Sequence, residues 1–249
     1  MDTPVIDFHA HVSRLHSMDE VLAKYLSIMD AAGVDRACVN CINADARSGN
    51  ELAARFVAKR PDRFIGVAFV TPRYPHEALR EMDHAFDDLG MKSLKVYPDI
   101  GLPMDDPAYY PIFEWANERG IAVMSHTEYY SETSTLSAPR RFIGLAKRFP
   151  RVSWVLGHSG NSPQGQAQAM DAARSGPNVY LETCSSYGDH GTIERLVEGA
   201  GEDRVLYGSD MLLMDARFQV GRIVTADIAL PAKRKVLGLN AIEVLGLDG

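Results

Sequence analysis

Four histidines and one aspartate have the types and spacing that a metal site needs. His9 and His11 are two residues apart, and His126, His158 and Asp210 follow along the chain. Each of them ends or closely follows a short apolar segment. Imidazole nitrogens and carboxylate oxygens favour Zn²⁺, although Mn²⁺ and Fe²⁺ also accept the same ligands. The five residues therefore predict a divalent metal site, provided that the fold brings their segments together.

The elements that must position these residues are eight short segments with the composition of β-strands. Longer mixed segments with helix-start signals separate them, a pattern typical of βα units around a parallel sheet. An open doubly wound sheet usually has a Gly-rich turn after its first strand, and this chain has His9-Ala10-His11-Val12 there. We predict a single-domain α/β protein over residues 1–249, a (β/α)8 TIM barrel whose eighth strand lies beside the first. The predicted strands are residues 5–9, 37–41, 64–70, 93–97, 122–126, 153–157, 179–183 and 205–209.

In such a barrel the carboxyl ends of all strands meet at one mouth, where barrel enzymes build their sites. His9 and His11 lie at the end of the first strand and project to the same face. His126 ends the fifth strand, His158 follows the sixth and Asp210 follows the eighth. A lone strand-end histidine is more often a hydrogen-bonded ring, so the prediction depends on the coincidence of all five at the same end.

Capping residues mark the predicted helix starts. Ser17 and Ser48 each precede a glutamate by three residues, which fits the capping box. Asp106 and Ser162 each precede a proline, a pair that suits the first two positions of a helix. Gly33 stands where a left-handed residue would end the first helix.

Composition excludes several classes of protein. No apolar run approaches the roughly 18 residues that span a bilayer. Lys plus Arg is 26 against 33 for Asp plus Glu, and this net charge of −7 without a basic cluster disfavours nucleic-acid binding. The 3 cysteines cannot form a disulfide framework, and Cys38-x-x-Cys41 lies in an apolar strand, which favours core packing over a zinc or redox site. With no export signal at its start, the chain is expected in the cytoplasm.

Four motifs resemble those of the amidohydrolase superfamily, and the resemblance spans nearly the whole chain. It is closest to the amidohydrolase 2 branch, which includes enzymes similar to aminocarboxymuconate semialdehyde decarboxylase. The resemblance implies that His9, His11, His126 and Asp210 are metal ligands and that His158 lies near the metal-bound water. The motifs are Asp7-Phe8-His9-Ala10-His11, Ser125-His126, Leu156-Gly157-His158-Ser159-Gly160 and Leu206-Tyr207-Gly208-Ser209-Asp210.

Lys95, at the end of the fourth predicted strand, bears on the number of ions. Some superfamily relatives carboxylate a lysine at this position to bridge two ions, and His126 and His158 would then hold the second one. The alternative is an ammonium group that pairs with a carboxylate of the site or binds substrate. One ion is favoured over two. Glu182 and Thr183, which end the seventh strand, are expected to support the site through hydrogen bonds.

Substrate contacts are expected from the loops around the barrel mouth. These loops are short, which suggests a small-molecule substrate or a site completed by a neighbouring subunit of a homo-oligomer. The main candidates for substrate contact are Lys95, Tyr97, Tyr129 and Asn161, with Arg47, Tyr130 and Arg217 proposed from location alone.

The expected chemistry is hydrolysis of a small carboxylate-bearing amide, lactone or ester. A bound ion lowers the pKa of water to about 7, which makes hydroxide available at neutral pH. Asp210 would accept a proton and pass it to the leaving group, while His158 would donate to the developing oxyanion. The alternative is metal-dependent, non-oxidative decarboxylation of a small carboxylic acid, which the same resemblance accommodates. A barrel that binds metal without catalysis is a third hypothesis, which the presence of both Asp210 and His158 disfavours.

Overall fold

Eight parallel strands form the centre of the protein and pair in chain order, from the first to the eighth. The computed structural model describes residues 3–13, 17–98, 101–133, 135–185 and 188–247. Every strand begins within one residue of its predicted start. The strands are β1 (Ile6–His11), β2 (Arg36–Asn40), β3 (Phe64–Phe69), β4 (Ser93–Val96), β5 (Ala122–His126), β6 (Ser153–Gly157), β7 (Val179–Glu182) and β8 (Val205–Leu206).

Backbone hydrogen bonds between β1 and the segment after β8 close the barrel. The Phe8 N–H donates to the Tyr207 carbonyl over 2.9 Å, and the His11 N–H donates to the Met211 carbonyl over 2.7 Å. The α/β class and the (β/α)8 barrel are thus confirmed. The eighth strand is shorter than predicted and ends at Leu206, because β7 ends at Glu182 and the Tyr207 N–H donates to the Val236 carbonyl, outside the sheet.

Helices alternate with the strands and pack around them. The α-helices are α1 (Met18–Ala32), α2 (Ala46–Lys59), α3 (Pro75–Asp83), α4 (Tyr110–Arg119), α5 (Phe142–Arg148), α6 (Pro163–Ser175), α7 (Thr192–Ala200), α8 (Ala216–Thr225), α9 (Leu230–Arg234) and α10 (Asn240–Leu245). A π-helical turn follows α3 at His84–Asp88, and another joins α9 to α10 at Lys235–Leu239. No helix in the described ranges is long and apolar enough to cross a membrane.

Most of the predicted caps are confirmed, and one is wrong. Ser17 caps α1 and accepts the Glu20 N–H, and Ser162 and Asp106 cap the elements that follow them. The capping box predicted at Ser48 is wrong because α2 begins earlier. Asp45 is its cap and accepts the Ser48 N–H over 3.3 Å, which places Ser48 inside the first turn.

The apolar core has an inner part within the barrel and an outer part between strands and helices. Ala122 and Met124 of β5 face the inner cluster, whereas Val123 faces the outer one. The same alternation turns His126 inward at the upper end of this strand. Cys38 is buried in the inner cluster and Cys41 in the outer one, which confirms that this pair packs in the core.

Candidate metal centre

Three of the predicted metal ligands lie together at the carboxyl ends of the strands. The His9 Nε2 is 3.1 Å from the His11 Nε2, and the His11 Nε2 is 3.0 Å from the Asp210 Oδ1. The Lys95 Nζ lies 3.0 Å from the His9 Nε2. Ligand atoms of His9, His11 and Asp210 are all within 4.8 Å of one another, a spacing from which one ion can be held.

Hydrogen bonds on the far side of each ring fix which nitrogen faces the cluster. The His11 Nδ1 contacts the Asn40 Oδ1 at 2.9 Å, and the Asn40 Nδ2 donates to the Ala10 carbonyl, which sets the orientation of the amide. The His9 Nδ1 contacts the Glu182 Oε2 at 3.0 Å, and the Lys95 ammonium donates to the His9 Nε2. Both rings therefore carry their proton on Nδ1 and direct an Nε2 lone pair into the cluster.

The donor set fits a divalent cation. Two imidazole lone pairs only 3.1 Å apart repel each other, and the Asp210 carboxylate beside them adds negative charge. A cation bound between these atoms removes that repulsion. The hydrogen-bond partners of the two Nδ1 atoms orient the His9 and His11 rings so that both Nε2 atoms face the cation. Nitrogen and oxygen donors suit Zn²⁺, Mn²⁺ and Fe²⁺.

We expect the purified protein to contain about one equivalent of a divalent ion per chain. Elemental analysis of the protein, before and after chelation and reconstitution, measures this. Protein that is metal-free and cannot be reconstituted would contradict the metal centre. Two equivalents together with a carboxylated Lys95 would change only the number of ions.

His126, the fourth predicted ligand, lies beside this group and contacts a different acid. Its Nε2 is 3.3 Å from the Glu128 Oε2. Its ring packs at 4.8 Å from the His158 ring and 5.0 Å from the Tyr97 ring, measured between centroids. Glu128 was not predicted, although an acid two residues after a strand-end histidine is visible in the sequence.

His158 reaches the cluster as a hydrogen-bond acceptor. Its Nδ1 lies 3.2 Å from the Cys184 carbonyl, so this nitrogen carries the proton and Nε2 has the lone pair. Burial, followed by the charges of His126 and Lys95, lowers the pKa of His158 to about 3. The ring is therefore neutral near pH 7, and the predicted donation from His158 to an oxyanion does not fit its geometry.

Asp210 remains ionised at the mouth of the barrel. Its burial alone would raise the pKa, but its contact with His11 and the nearby Lys95 ammonium hold the pKa below its usual value. Its backbone is left-handed, with φ of 58°, as are those of His158, Ser159 and Asn161. Non-glycine residues in this conformation often mark functional sites, and these four all lie in loops at the carboxyl ends of β6 and β8.

Asp7 is a site residue that the sequence reasoning missed. Its carboxylate accepts the backbone N–H groups of His9 and Ser209 over 3.0 and 2.9 Å, and the Ser209 hydroxyl over 2.5 Å. It thus links β1 to the segment that carries Asp210. Burial raises its pKa to about 7, against the effect of these hydrogen bonds. The sequence signal that could have identified Asp7 is a carboxylate inside an otherwise apolar strand.

Glu182 supports the cluster from β7, as expected. It accepts the backbone N–H groups of His158 and Cys184 and contacts the His9 ring. Burial raises its pKa to about 8, while those N–H groups and the Lys95 charge oppose the rise. A cation on the Nε2 side of His9 would favour the ionised form further.

Gly208 leaves the space that Glu182 occupies. A Cβ at this position would lie 2.2 Å from the Glu182 Oε1 and 2.8 Å from the His9 Cβ. We expect Gly208→Ala to destabilise the protein by about 2 kcal/mol, as overpacking does, and to lower Tm by roughly 4–8 °C. Thermal unfolding measures this. Gly221→Ala in α8 is the control, because its Cβ would meet nothing within 4 Å, and equal losses in both variants would contradict the steric explanation.

The cluster forms the floor of an open cavity of about 460 Å³. Lys95 and Tyr97, two of the predicted substrate residues, line it, and Val12, Ile42 and Leu213 form an apolar wall. Lys95 is buried, and burial lowers the pKa of its ammonium group to about 8. This floor offers positive charge and hydrogen-bond acceptors beneath a partly apolar wall.

The other predicted substrate residues do not line this cavity. The Tyr129 hydroxyl donates to Glu132, and the Asn161 amide joins Tyr130 to Ser185. Among the residues proposed from location alone, Arg47 pairs with Glu51 and Arg217 pairs with Asp215. Asn161 therefore links two loops of the mouth, and Tyr129 lies outside the cavity.

Comparison with known proteins identifies relatives that are named as decarboxylases. The chain is 25% identical over 235 residues to a 2-amino-3-carboxymuconate-6-semialdehyde decarboxylase of Dictyostelium discoideum, which covers 80% of this chain and 66% of that relative. It is 21% identical over 295 aligned positions to a gamma-resorcylate decarboxylase of a Rhizobium species, covering 94% of this chain and 90% of the relative. The chain thus spans about two thirds of the length of the first relative and most of the second.

A solved structure and a family model match nearly the whole chain. The structure is a 5-carboxyvanillate decarboxylase of Novosphingobium aromaticivorans, complexed with manganese and 4-hydroxy-3-methoxy-5-nitrobenzoic acid. Its TM-score is 0.80 at 17% identity, and the match covers 99% of this chain and 97% of that one. The family model, described as Amidohydrolase, matches residues 6–247. The chain therefore belongs to the amidohydrolase family, as an enzyme of its amidohydrolase 2 branch.

Proposed function

We propose that the protein is a metal-dependent, non-oxidative decarboxylase of a small carboxylic acid. The observation that carries this proposal is the match to relatives named as decarboxylases, one of them over most of both chains, combined with the cluster of His9, His11, Lys95 and Asp210 at the barrel mouth. These relatives support decarboxylation better than hydrolysis, which was the main expectation from the sequence. The expected metal centre is the same for both reactions.

The cavity supports a planar unsaturated or aromatic acid as the substrate class. Its volume of about 460 Å³ lies in the range of sites for small ligands. Val12, Ile42 and Leu213 would contact the apolar part of such a molecule, and Lys95 would attract its carboxylate. A divalent ion held by His9, His11, His126 and Asp210 would supply further positive charge to bind the acid and stabilise the electron pair left on carbon.

Decarboxylation requires that a proton replace the departing CO₂. The carbon–carbon bond breaks, its electron pair stays on the substrate carbon, and one proton then forms the new carbon–hydrogen bond. The Lys95 ammonium is suited to release that proton, because burial brings its pKa to about 8. The neutral His158 Nε2 can accept a hydrogen bond from a substrate hydroxyl, while Asp210 stays ionised.

The fate of solvent atoms tests the reaction type. Aromatic carboxylic acids, small lactones and N-acyl amino acids would be incubated with the metal-loaded enzyme in D₂O and, separately, in ¹⁸O-water. We expect stoichiometric CO₂, deuterium on the carbon that lost it, and no ¹⁸O in the organic product. Incorporation of ¹⁸O into the organic product without release of CO₂ would support hydrolysis and contradict decarboxylation.

A further inference from the structure

A second group of possible ligands lies beside the metal centre and contains sulfur. Ligand atoms of His158, Cys184 and Asp210 lie within 4.8 Å of one another. The three residues are only 7%, 0% and 7% exposed, respectively. The thioether sulfur of Met214 lies 3.7 Å from the Cys184 Sγ. An imidazole, a thiol and a carboxylate therefore lie together, and a second sulfur atom contacts the thiol.

Hydrogen bonds to both backbone groups of Cys184 fix its position. Its N–H donates to the Glu182 Oε1, and its carbonyl accepts from the His158 Nδ1 over 3.2 Å. The Met214 sulfur is also fixed, because the Gln219 amide donates to it over 3.2 Å. The positions of Cys184 and His158 are thus coupled through the Cys184 carbonyl.

We propose that His158, Cys184 and Asp210 form a second cation site that selects thiophilic ions such as Cd²⁺, with Met214 as an additional soft ligand. Sulfur ligands favour such ions over Mn²⁺ or Mg²⁺, which prefer oxygen. On binding, the Cys184 S–H bond breaks, its proton passes to solvent, and the sulfur electron pair bonds to the ion without oxidation. This site does not depend on which reaction the enzyme catalyses.

The choice of Cys184 over the other two cysteines follows from their surroundings. Cys38 lies in the apolar cluster inside the barrel, and Cys41 lies in the cluster between strands and helices. Among the residues that the structure describes, Cys184 is the only cysteine grouped with imidazole and carboxylate ligand atoms. Because Asp210 and His158 also face the cavity, an ion bound here would obstruct that cavity.

Cadmium binding to the metal-loaded enzyme tests this site. Cd²⁺ would be added in excess, and bound ions would be counted by equilibrium dialysis and elemental analysis while cadmium–thiolate absorption is followed in the ultraviolet. We expect the wild-type chain to bind one ion more than the Cys184→Ser variant, and only the wild-type chain to show thiolate absorption. Cys41→Ser, which removes a buried thiol from the same end of the barrel, should behave like the wild type.

Further measurements keep the test decisive if the serine variant folds poorly. The ¹¹³Cd chemical shift of the wild-type protein distinguishes sulfur-bound from nitrogen- and oxygen-bound cadmium without any substitution. Met214→Leu should weaken the second site by about tenfold. A wild-type chain with one ion and no sulfur-bound cadmium would overturn the proposal, as would thiolate absorption that persists in Cys184→Ser. Unchanged affinity in Met214→Leu would remove Met214 from the site.

Discussion

Asp210→Asn is expected to lower kcat/KM by about 10³-fold and to leave the barrel folded. The Asp210 Oδ1 lies 3.0 Å from the His11 Nε2 and 3.8 Å from the His9 Nε2, so it supplies the negative charge of the three-residue cluster. Asparagine preserves the volume of the side chain but removes that charge. It also replaces an anionic carboxylate ligand with a neutral amide oxygen, which binds a divalent ion more weakly.

Steady-state kinetics, metal content and thermal unfolding measured together separate the possible causes. Asp215→Asn is the matched control, because Asp215 lies nearby and pairs with the exposed Arg217 rather than with the cluster. We expect that control to keep normal activity. Near-normal turnover of Asp210→Asn would exclude this residue from the reaction, and a large loss of Tm would show that the effect is structural.

The metal cluster could be predicted because its position follows from local patterns. Short apolar segments alternating with capped helices define a parallel barrel, and the carboxyl ends of parallel strands must then meet at one mouth. That reasoning placed His9, His11, His158 and Asp210 together without any knowledge of side-chain contacts. It also predicted most strand starts, because strand composition changes sharply at those positions.

Contacts between distant parts of the chain could not be predicted from these local patterns. Asp7 binds Ser209, which is 202 residues away, and this contact exists only because the barrel closes. The protonation of His158 depends on a carbonyl after β7, and the contact of His126 with Glu128 depends on how one loop turns. The orientation of Asn161 is set by its left-handed backbone, with φ of 61°. Each of these contacts and orientations depends on tertiary packing.

The reaction type is a further property that strand and helix patterns do not determine. The ligands expected for a hydrolase and for a decarboxylase in this family are the same histidines and aspartate. The chemistry depends on what surrounds the metal ligands, such as the Lys95 ammonium in the cavity floor and the apolar wall with Val12 and Leu213. Relatives with decarboxylase names favoured that reaction, whereas ligand spacing alone left both open.

Glu182→Gln is expected to weaken metal binding by about 100-fold. Three donors converge on the Glu182 carboxylate, namely the His9 Nδ1–H and the backbone N–H groups of His158 and Cys184. Glutamine has one acceptor oxygen and one NH₂ group, so one of those donors would face another donor in a buried site. His9 would also lose the negative charge that fixes its ring and raises the basicity of its Nε2.

Competition with a chromogenic chelator measures this affinity, without reference to catalysis. Glu81→Gln is the matched control, because Glu81 is also buried but accepts a hydrogen bond from Asn50 on the outer side of the barrel. We expect the control to bind metal as the wild type does. If Glu182→Gln also kept wild-type affinity, the hydrogen bond between Glu182 and His9 would have no part in holding the ion. The orientation of His9 would then have to come from β1 and the Asp7 carboxylate that accepts its backbone N–H.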